Sequence, residues 1–166
     1  MRILITGSNG QLGSEIRDLV SLYKTTDFIF RDLHDLDICD FKTLNNFITE
    51  QKITGVINCA AYTDVDKAEE NTEIVKQVNS EGVLNLVNAL KAVNGKLIHI
   101  STDYVFDGKN SQPYKELDPV NPVGVYGESK RDGELAVING SIDGIVIRTS
   151  WLYSSYGDNF VKKILH

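Results

Sequence analysis

Three glycines spaced three residues apart follow the first apolar run of the chain. The run Arg2–Thr6 predicts a β-strand, and it leads into Gly7, Gly10 and Gly13, where a helical pattern begins. Between a strand and a helix, such glycines allow a tight turn, a close approach of backbone to a pyrophosphate, and close packing of helix on strand. The segment therefore predicts a dinucleotide site on a parallel α/β sheet. The alternative is a glycine-rich turn without a ligand.

Short strand-like runs alternate with longer amphipathic stretches, a pattern typical of βαβ units. Five strands are predicted, at Arg2–Thr6, Phe28–Phe30, Gly55–Cys59, Lys96–Ile100 and Gly144–Arg148. Helices are predicted at Gln11–Leu22, Phe41–Gln51, Thr72–Val93 and Gly124–Ile138, and a last one, capped by Asp158, runs to His166. We expect one domain, a Rossmann-type doubly wound parallel sheet with helices on both faces.

Charge and hydropathy argue against two classes of partner. The 166 residues include 17 Lys and Arg against 23 Asp and Glu, a net charge of -6, with no basic run that would neutralise a phosphate backbone. No apolar stretch approaches the roughly 20 residues of a membrane helix, and the first strand begins at Arg2. We expect a cytoplasmic protein that binds neither nucleic acid nor membrane.

The two cysteines are interpreted as structural. Cys39 and Cys59 lack the spacing of metal ligands, and we expect both to be small, mostly buried side chains. No metal site is predicted. Glu15, early in the first helix, is interpreted as a favourable charge for the helix dipole.

Two charged residues after the second strand bear on the choice of cofactor. Arg31 and Asp32 lie where an adenosine ribose is expected in this type of fold. A carboxylate there favours the ribose 2'-OH of NAD, whereas a guanidinium accepts the 2'-phosphate of NADP. The pair leaves NADH and NADPH both open, and the alternative is two solvated loop charges.

Hydroxyl, carboxylate, phenol and ammonium groups predict a catalytic set. Thr102 and Asp103 follow the strand Lys96–Ile100, at the edge where parallel sheets bind ligands. Tyr126 and Lys130 are four residues apart on one helix face. A carbonyl that receives hydride needs a proton, and a phenol beside a cation is a suitable acid. Taken alone, a tyrosine and a lysine at this spacing are more often a solvated pair on an exposed helix.

These segments resemble the extended short-chain dehydrogenase/reductase superfamily and, within it, the dTDP-4-dehydrorhamnose reductase family. The matching segments are Gly7 to Gly13, Asn58 to Glu69, Ser101 to Gly108, Tyr126 to Lys130 with Gly133 and Glu134, and Arg148 to Tyr153. They span nearly the whole chain in the expected order.

The resemblance implies a role for each predicted site residue. Thr102, Tyr126 and Lys130 would be the catalytic trio, with Tyr126 as the proton donor to the C4 oxygen of a sugar and Lys130 also holding the nicotinamide ribose. The other implied residues are Gly10, Gln11 and Leu12 at the pyrophosphate, Ala61, Tyr62 and Thr63 along the cofactor cleft, Asp37 and Ile38 near the adenine, and Asp103 and Trp151, with Thr102, at the sugar nucleotide. For Trp151 the alternative is a core aromatic residue.

The implied reaction is the reduction, by NADPH or NADH, of the C4 keto group of dTDP-4-dehydro-6-deoxy-L-mannose to give dTDP-L-rhamnose. A related dehydratase would carry Glu after Asp103, where this chain has Tyr104, and a related epimerase-reductase would carry a cysteine near Thr102, where there is none. The alternative from another class is a non-catalytic NADP-binding regulatory subunit, similar to that of methionine adenosyltransferase.

The family's substrate lobe is built largely from residues beyond Trp151, and this chain ends fifteen residues later. We therefore expect an NAD(P)-binding domain over residues 1–166, with the start of a truncated substrate lobe after about residue 150. Such a chain would bind dinucleotide weakly and reduce the sugar nucleotide poorly. The resemblance leaves a homodimer of a full-length parent open. In some members a glutamate early in the first helix, as Glu15 is here, contributes to a magnesium-dependent dimer together with carboxylates from the later part of the family's chain.

Overall fold

A single parallel sheet organises the computed structural model, which describes residues 1–165. Its strands are β1 (Arg2–Thr6), β2 (Asp27–Phe30), β3 (Gly55–Asn58), β4 (Lys96–Thr102) and β5 (Asp143–Thr149). They lie side by side in the order β2-β1-β3-β4-β5, and every neighbouring pair is parallel. This arrangement confirms the predicted doubly wound fold.

Seven α-helices accompany the sheet within residues 1–165. They are α1 (Gln11–Leu19), α2 (Phe41–Glu50), α3 (Val65–Ala68), α4 (Thr72–Lys76), α5 (Gly82–Ala92), α6 (Val125–Asn139) and α7 (Phe160–Leu165). Short 3-10 turns at Val20–Leu22 and Asp103–Val105 and a π-helical turn at Gln77–Glu81 complete the regular structure. No helix in this part of the chain is both long and apolar enough to cross a bilayer.

The direction of the crossovers decides which face each helix covers. The chain moves outward from β1 to β2 and then returns across β1 to β3, β4 and β5. Because parallel crossovers are right-handed, α1 lies on one face of the sheet, and α2, α5 and α6 lie on the other, where they contact one another. The apolar core under these three helices includes Leu4, Leu44, Ile48, Val56, Leu86, Leu90, Leu97 and Val137.

The helix predicted at Thr72–Val93 contains a π-helical turn. It runs as α4, then Gln77–Glu81 with π-type hydrogen bonds, then α5. The periodic apolar pattern did not reveal this turn, which places the fully buried Asn79 at a contact between three elements. A π-turn inserts one extra residue into the helical spiral, and such turns often occur near functional sites.

Several element ends differ from the sequence prediction by one to three residues, and two of the differences bear on the site. Strand β4 runs two residues further, through Ser101 and Thr102, because both pair with β5. At α7, Asn159 rather than Asp158 caps the helix, and its Oδ1 accepts a hydrogen bond of 3.2 Å from the Lys162 backbone N–H. The predicted end at His166 lies outside the described residues.

Candidate active site

A cavity of about 860 Å³ opens at the carboxyl ends of β1, β3 and β4. It lies where the strand order reverses between β1 and β3, the position at which doubly wound sheets bind ligands. The predicted site residues along its wall are Gly7, Gly10, Gln11, Leu12, Asp32, Asp37, Ile38, Ala61, Tyr62, Thr63, Thr102, Asp103, Tyr126, Lys130 and Trp151. Gly13 and Arg31 are not among the wall residues.

Close backbone packing shapes the loop after β1. Gly7 has φ +59°, and a Cβ on it would lie 2.6 Å from the backbone N of Ala60, at the end of β3. A Cβ on Gly13 would lie 2.6 Å from the Gly7 carbonyl oxygen. Helix α1 begins after Gly10 without a side-chain cap, and its first residues, Gln11 and Leu12, line the cavity. This cradle fits the pyrophosphate of a dinucleotide.

The two charged residues after β2 are placed differently. The Asp32 carboxylate lines the cavity and accepts hydrogen bonds of 2.8 Å from the backbone N–H groups of Asn9 and Leu33, so it ties the glycine loop to β2. The Arg31 guanidinium donates to the Phe30 carbonyl at 2.8 Å and lies over the Phe47 ring at 5.3 Å. The structure therefore brings Asp32, and not Arg31, to the cavity wall.

The hydroxyl groups of the predicted trio meet at the other end of the cavity. Thr102 is buried at the last position of β4, where its Oγ1 accepts from the Tyr104 backbone N–H at 3.2 Å and donates to Asp103 at 3.1 Å. Burial raises the pKa of Tyr126 above its usual value, and the Thr102 hydroxyl beside the phenol acts in the opposite direction. Tyr126 therefore carries its proton at neutral pH.

Lys130, one turn after Tyr126 on α6, is almost completely buried, with 2% of its surface exposed. Its ammonium donates to the Ile100 carbonyl at 2.6 Å. Burial lowers the pKa of Lys130 to about 8, against the opposing effect of the Glu134 carboxylate. At neutral pH the side chain is mainly a cation, facing the cavity that Tyr126 also lines.

The cysteines lie half-buried on the same cavity wall. Burial raises the pKa of the Cys59 thiol to about 12, and burial together with Asp37 raises that of Cys39 to about 12. Thiols that stay protonated are poor nucleophiles, in agreement with their structural interpretation.

A buried ion network behind the site was not identified from the sequence. Glu134, with no exposed surface, accepts from the Ser101 hydroxyl at 2.7 Å and from two guanidinium nitrogens of Arg148 at 2.7 Å. Arg131 donates to the same carboxylate at 3.0 Å. These bonds hold the pKa of Glu134 below its usual range although burial raises it. In the sequence, the feature that could have indicated this network was the position of Glu134, one helical turn after Lys130 on the inward face of α6.

Two further side chains hold helix α6 against the cavity wall. Asn79 accepts from the Tyr62 backbone N–H at 2.8 Å and donates to the Tyr62 carbonyl at 3.1 Å and to the Ser129 hydroxyl at 3.0 Å. The Glu69 carboxylate accepts from the Val125 backbone N–H at 2.9 Å, at the first turn of α6. Only the tertiary structure brings these distant residues together.

Trp151 is not a core residue, since 72% of its surface is exposed. It has φ +54° and lies edge-on to Phe160, with ring centroids 4.9 Å apart. The preceding Ser150 donates a hydrogen bond of 2.8 Å to the Asp103 carboxylate. The segment after β5 is thus attached to the end of the cavity that Thr102 and Tyr126 occupy.

Metal ligation has no support in the described residues. Within 1–165, no group of three or more His, Cys, Asp or Glu side chains is placed to hold a metal ion.

A model of one protein family matches the whole chain. This family is described as the RmlD substrate binding domain, and the match covers residues 1–166. The dTDP-4-dehydrorhamnose reductase of Aggregatibacter actinomycetemcomitans is 42% identical over 164 residues, which cover 99% of this chain and 56% of the relative.

Solved structures agree with this match. A crystal structure of a dTDP-4-dehydrorhamnose reductase from Clostridium acetobutylicum is 44% identical, with a TM-score of 0.96, and the match covers 99% of this chain and 58% of that one. The dTDP-4-dehydrorhamnose reductase from Bacillus anthracis, solved in complex with NADP, is 38% identical, with a TM-score of 0.95 and the same coverage. The chain thus spans a little over half the length of the relatives it matches.

Proposed function

The chain belongs to the RmlD substrate binding domain family, and from this we propose that it carries the cofactor site and the proton donor of a dTDP-4-dehydrorhamnose reductase. The reaction is the reduction of the C4 keto group of dTDP-4-dehydro-6-deoxy-L-mannose to dTDP-L-rhamnose. Residues 1–166 form the NAD(P)-binding domain, and the segment after about residue 150 begins the lobe that binds the dTDP-sugar.

One observation carries this proposal: the glycine loop and the Thr102, Tyr126 and Lys130 set line the same cavity. The loop offers backbone N–H groups to a pyrophosphate at one end, and the three side chains offer a proton and a positive charge at the other. A reductase needs both in one cleft.

A nicotinamide dinucleotide bound in this cavity would supply the hydride that reduces the sugar carbonyl. Tyr126 is protonated at neutral pH, since its ordinary pKa of 10.0 lies well above neutrality and burial raises it further, so its phenol can donate the proton that the C4 oxygen needs. The Lys130 ammonium stabilises the negative charge that this donation leaves on the phenol oxygen. Thr102, whose hydroxyl donates to Asp103 at 3.1 Å, lies at the same end of the cavity and would turn this hydroxyl to the carbonyl oxygen of a bound substrate.

Trp151 gives a direct test of cofactor binding, because it is the only tryptophan in the sequence and it lines the cavity. Bound NADPH should quench its fluorescence by energy transfer to the nicotinamide, and a titration of the chain with NADPH or NADH measures both affinities. Calorimetry on Trp151→Phe separates binding from the optical signal. A chain that binds neither dinucleotide would contradict the proposal.

Tyr126→Phe tests the proton donor. With the chain in excess over NADPH and dTDP-4-dehydrorhamnose, we expect slow oxidation of NADPH. In Tyr126→Phe the rate of this oxidation should be lower by about 100-fold or more, while the affinity for NADPH is retained. Tyr104→Phe is the matched control, since the ring of Tyr104 lies edge-on to that of Tyr126 at 5.6 Å. Equal rates for Tyr126→Phe and the unaltered chain would refute the assignment.

A further inference from the structure

A strap formed by residues 150–159 crosses the mouth of the cavity. It begins at the Ser150 hydrogen bond to Asp103, and its Gly157 and Asp158 line the cavity. Gly157 has φ +61°, and a Cβ on it would lie 3.5 Å from the Gln11 Cβ, so this turn packs against the first residue of α1. The strap thus meets the predicted pyrophosphate site.

Several polar contacts fix the shape of the strap at this end. The Lys162 ammonium donates to the carbonyls of Ser155 at 2.6 Å and Gly157 at 2.8 Å. The Tyr156 hydroxyl donates to the Asp18 carboxylate on α1 at 2.8 Å. The turn at Gly157 is therefore held from both sides.

Asn159 is the buried member of this set, with 7% of its surface exposed. Its Nδ2 donates to the Ser154 carbonyl at 2.9 Å and to Gln11 Oε1 at 3.0 Å, and its Oδ1 accepts from the Lys162 backbone N–H. A carbonyl only accepts and a backbone N–H only donates, so these two partners leave one orientation for the Asn159 amide. In that orientation Asn159 presents an N–H group to Gln11.

This orientation determines which end of the Gln11 amide remains free. Since Asn159 donates, Gln11 must meet it with its carbonyl oxygen, and its NH2 group is left to donate elsewhere. Gln11 lines the cavity beside the uncapped start of α1. A donor there is complementary to a phosphate oxygen.

We propose that Asn159 is a positioning residue of the pyrophosphate site, which acts by orienting the Gln11 amide as a hydrogen-bond donor. The inference rests on the proposed function, because it requires a dinucleotide in this cavity. The carboxylate of Asp158 lies on the same wall and repels an anion, so the donor at Gln11 acts against this charge.

Asn159→Asp tests the proposal because it keeps the size of the side chain and removes its donor. An aspartate accepts from the Gln11 NH2 group and draws the donor away from the phosphate, so we expect the affinity for NADPH to fall about tenfold. ADP-ribose, which keeps the pyrophosphate and lacks the nicotinamide, should lose affinity by the same factor. Calorimetry measures both ligands, and thermal melting verifies that the variant is folded.

A double-mutant cycle with Gln11→Ala separates orientation from a general structural effect. If Asn159 acts through Gln11, Asn159→Ala, which removes the donor without adding a negative charge, has no further effect on affinity in the Gln11→Ala background. Asn46→Asp, which makes the same chemical change on exposed α2, should leave both affinities unchanged and is the matched control.

Three results would overturn the inference: unchanged affinity in Asn159→Asp, additive losses in the cycle, or a loss for NADPH without one for ADP-ribose. Should Asn159→Asp fail to fold, two other variants provide the comparison. Asn159→Ser can still donate to Gln11, whereas Asn159→Ala cannot. Equal affinities of these two variants for NADPH would count against the inference. If the unaltered chain binds neither ligand, the proposed function fails as well, a result distinct from the other three.

Discussion

Opposite charges in the buried part of α6 set the protonation of the active site. Lys130 and Glu134 are one helical turn apart, and the carboxylate raises the pKa of the lysine while burial lowers it, with burial the larger effect. The side chain that must stay a cation for the proposed chemistry therefore titrates close to physiological pH.

The rate of NADPH oxidation should fall as the pH rises through about 8, because Lys130 then loses its proton. In Glu134→Gln the carboxylate that favours the ammonium is absent, so this decline should move to lower pH by about one unit. A pH-rate profile measures the shift.

Glu128→Gln on an exposed position of α6 provides the control for that profile. The rate of NADPH oxidation in Glu128→Gln should decline at the same pH as in the unaltered chain. A Glu134→Gln profile that also coincides would show that Glu134 does not set the charge of Lys130.

Among the elements, α6 carries the largest share of the proposed chemistry. Glu69 holds its first turn, Asn79 holds Ser129, and Gly127 lets the helix approach the 3-10 turn after β4. A Cβ on Gly127 would overlap the carbonyl oxygen of Tyr104. The close approach of α6 to the end of β4 is therefore possible because residue 127 is a glycine and has no side chain.

Gly127→Ala should lower the free energy of unfolding by about 2 kcal/mol, because overlap with backbone outweighs the better helix propensity of alanine. It should also weaken NADPH binding, since Tyr126 moves with the helix. Denaturant unfolding and calorimetry measure the two effects.

Gly55→Ala gives the comparison in strand β3. A Cβ there lies 3.6 Å from the nearest atom, the Lys96 carbonyl oxygen, which is an ordinary contact. The expected loss is under about 1 kcal/mol. Equal losses in both variants would argue against a close approach at Gly127.

Across the whole molecule, a polar row runs through the sheet behind the cavity. Thr6 donates to Asn58 Oδ1 at 2.6 Å, and Asn58 Nδ2 lies 3.1 Å from Nδ1 of the fully buried His99. Asn58 therefore donates to His99, whose Nδ1 must be free of a proton. Burial, together with the positive charge of Lys130, lowers the pKa of His99 to about 3.

Acid should destabilise the fold through His99. The unfolded chain takes up a proton near the ordinary pKa of 6.5, whereas the folded chain resists it until about 3. His99 therefore contributes its full stabilisation at pH values above 6.5, and this stabilisation is lost as the pH falls toward 3. At about pH 4 the free energy of unfolding should be lower by about 3 kcal/mol than at neutral pH.

Denaturant unfolding at several pH values checks this dependence. His99→Gln should be less stable near neutral pH and depend less on pH below 6.5. Exposed His34 is the control, and His34→Gln should keep the slope of the unaltered chain. An unchanged slope in His99→Gln would contradict the prediction.

The elements of the fold could be predicted because their signals are local. Short β-rich runs marked all five strands, and the glycine spacing located the loop at the reversal of strand order. The residue types in Thr102, Tyr126 and Lys130 indicated the chemistry, while their assigned roles stay predictions. Helical and strand periodicity repeat within a few residues, so they can be read from the sequence.

The tertiary structure alone decided which distant residues meet. Gln11 and Asn159 are 148 positions apart, and Asn79 and Ser129 are 50 apart, so no local pattern links them. The same holds for the buried environment that shifts the pKa of Lys130 and His99. Hydrogen-bond geometry and desolvation depend on the packing of separate elements, and this packing is fixed only when the sheet and its helices have assembled.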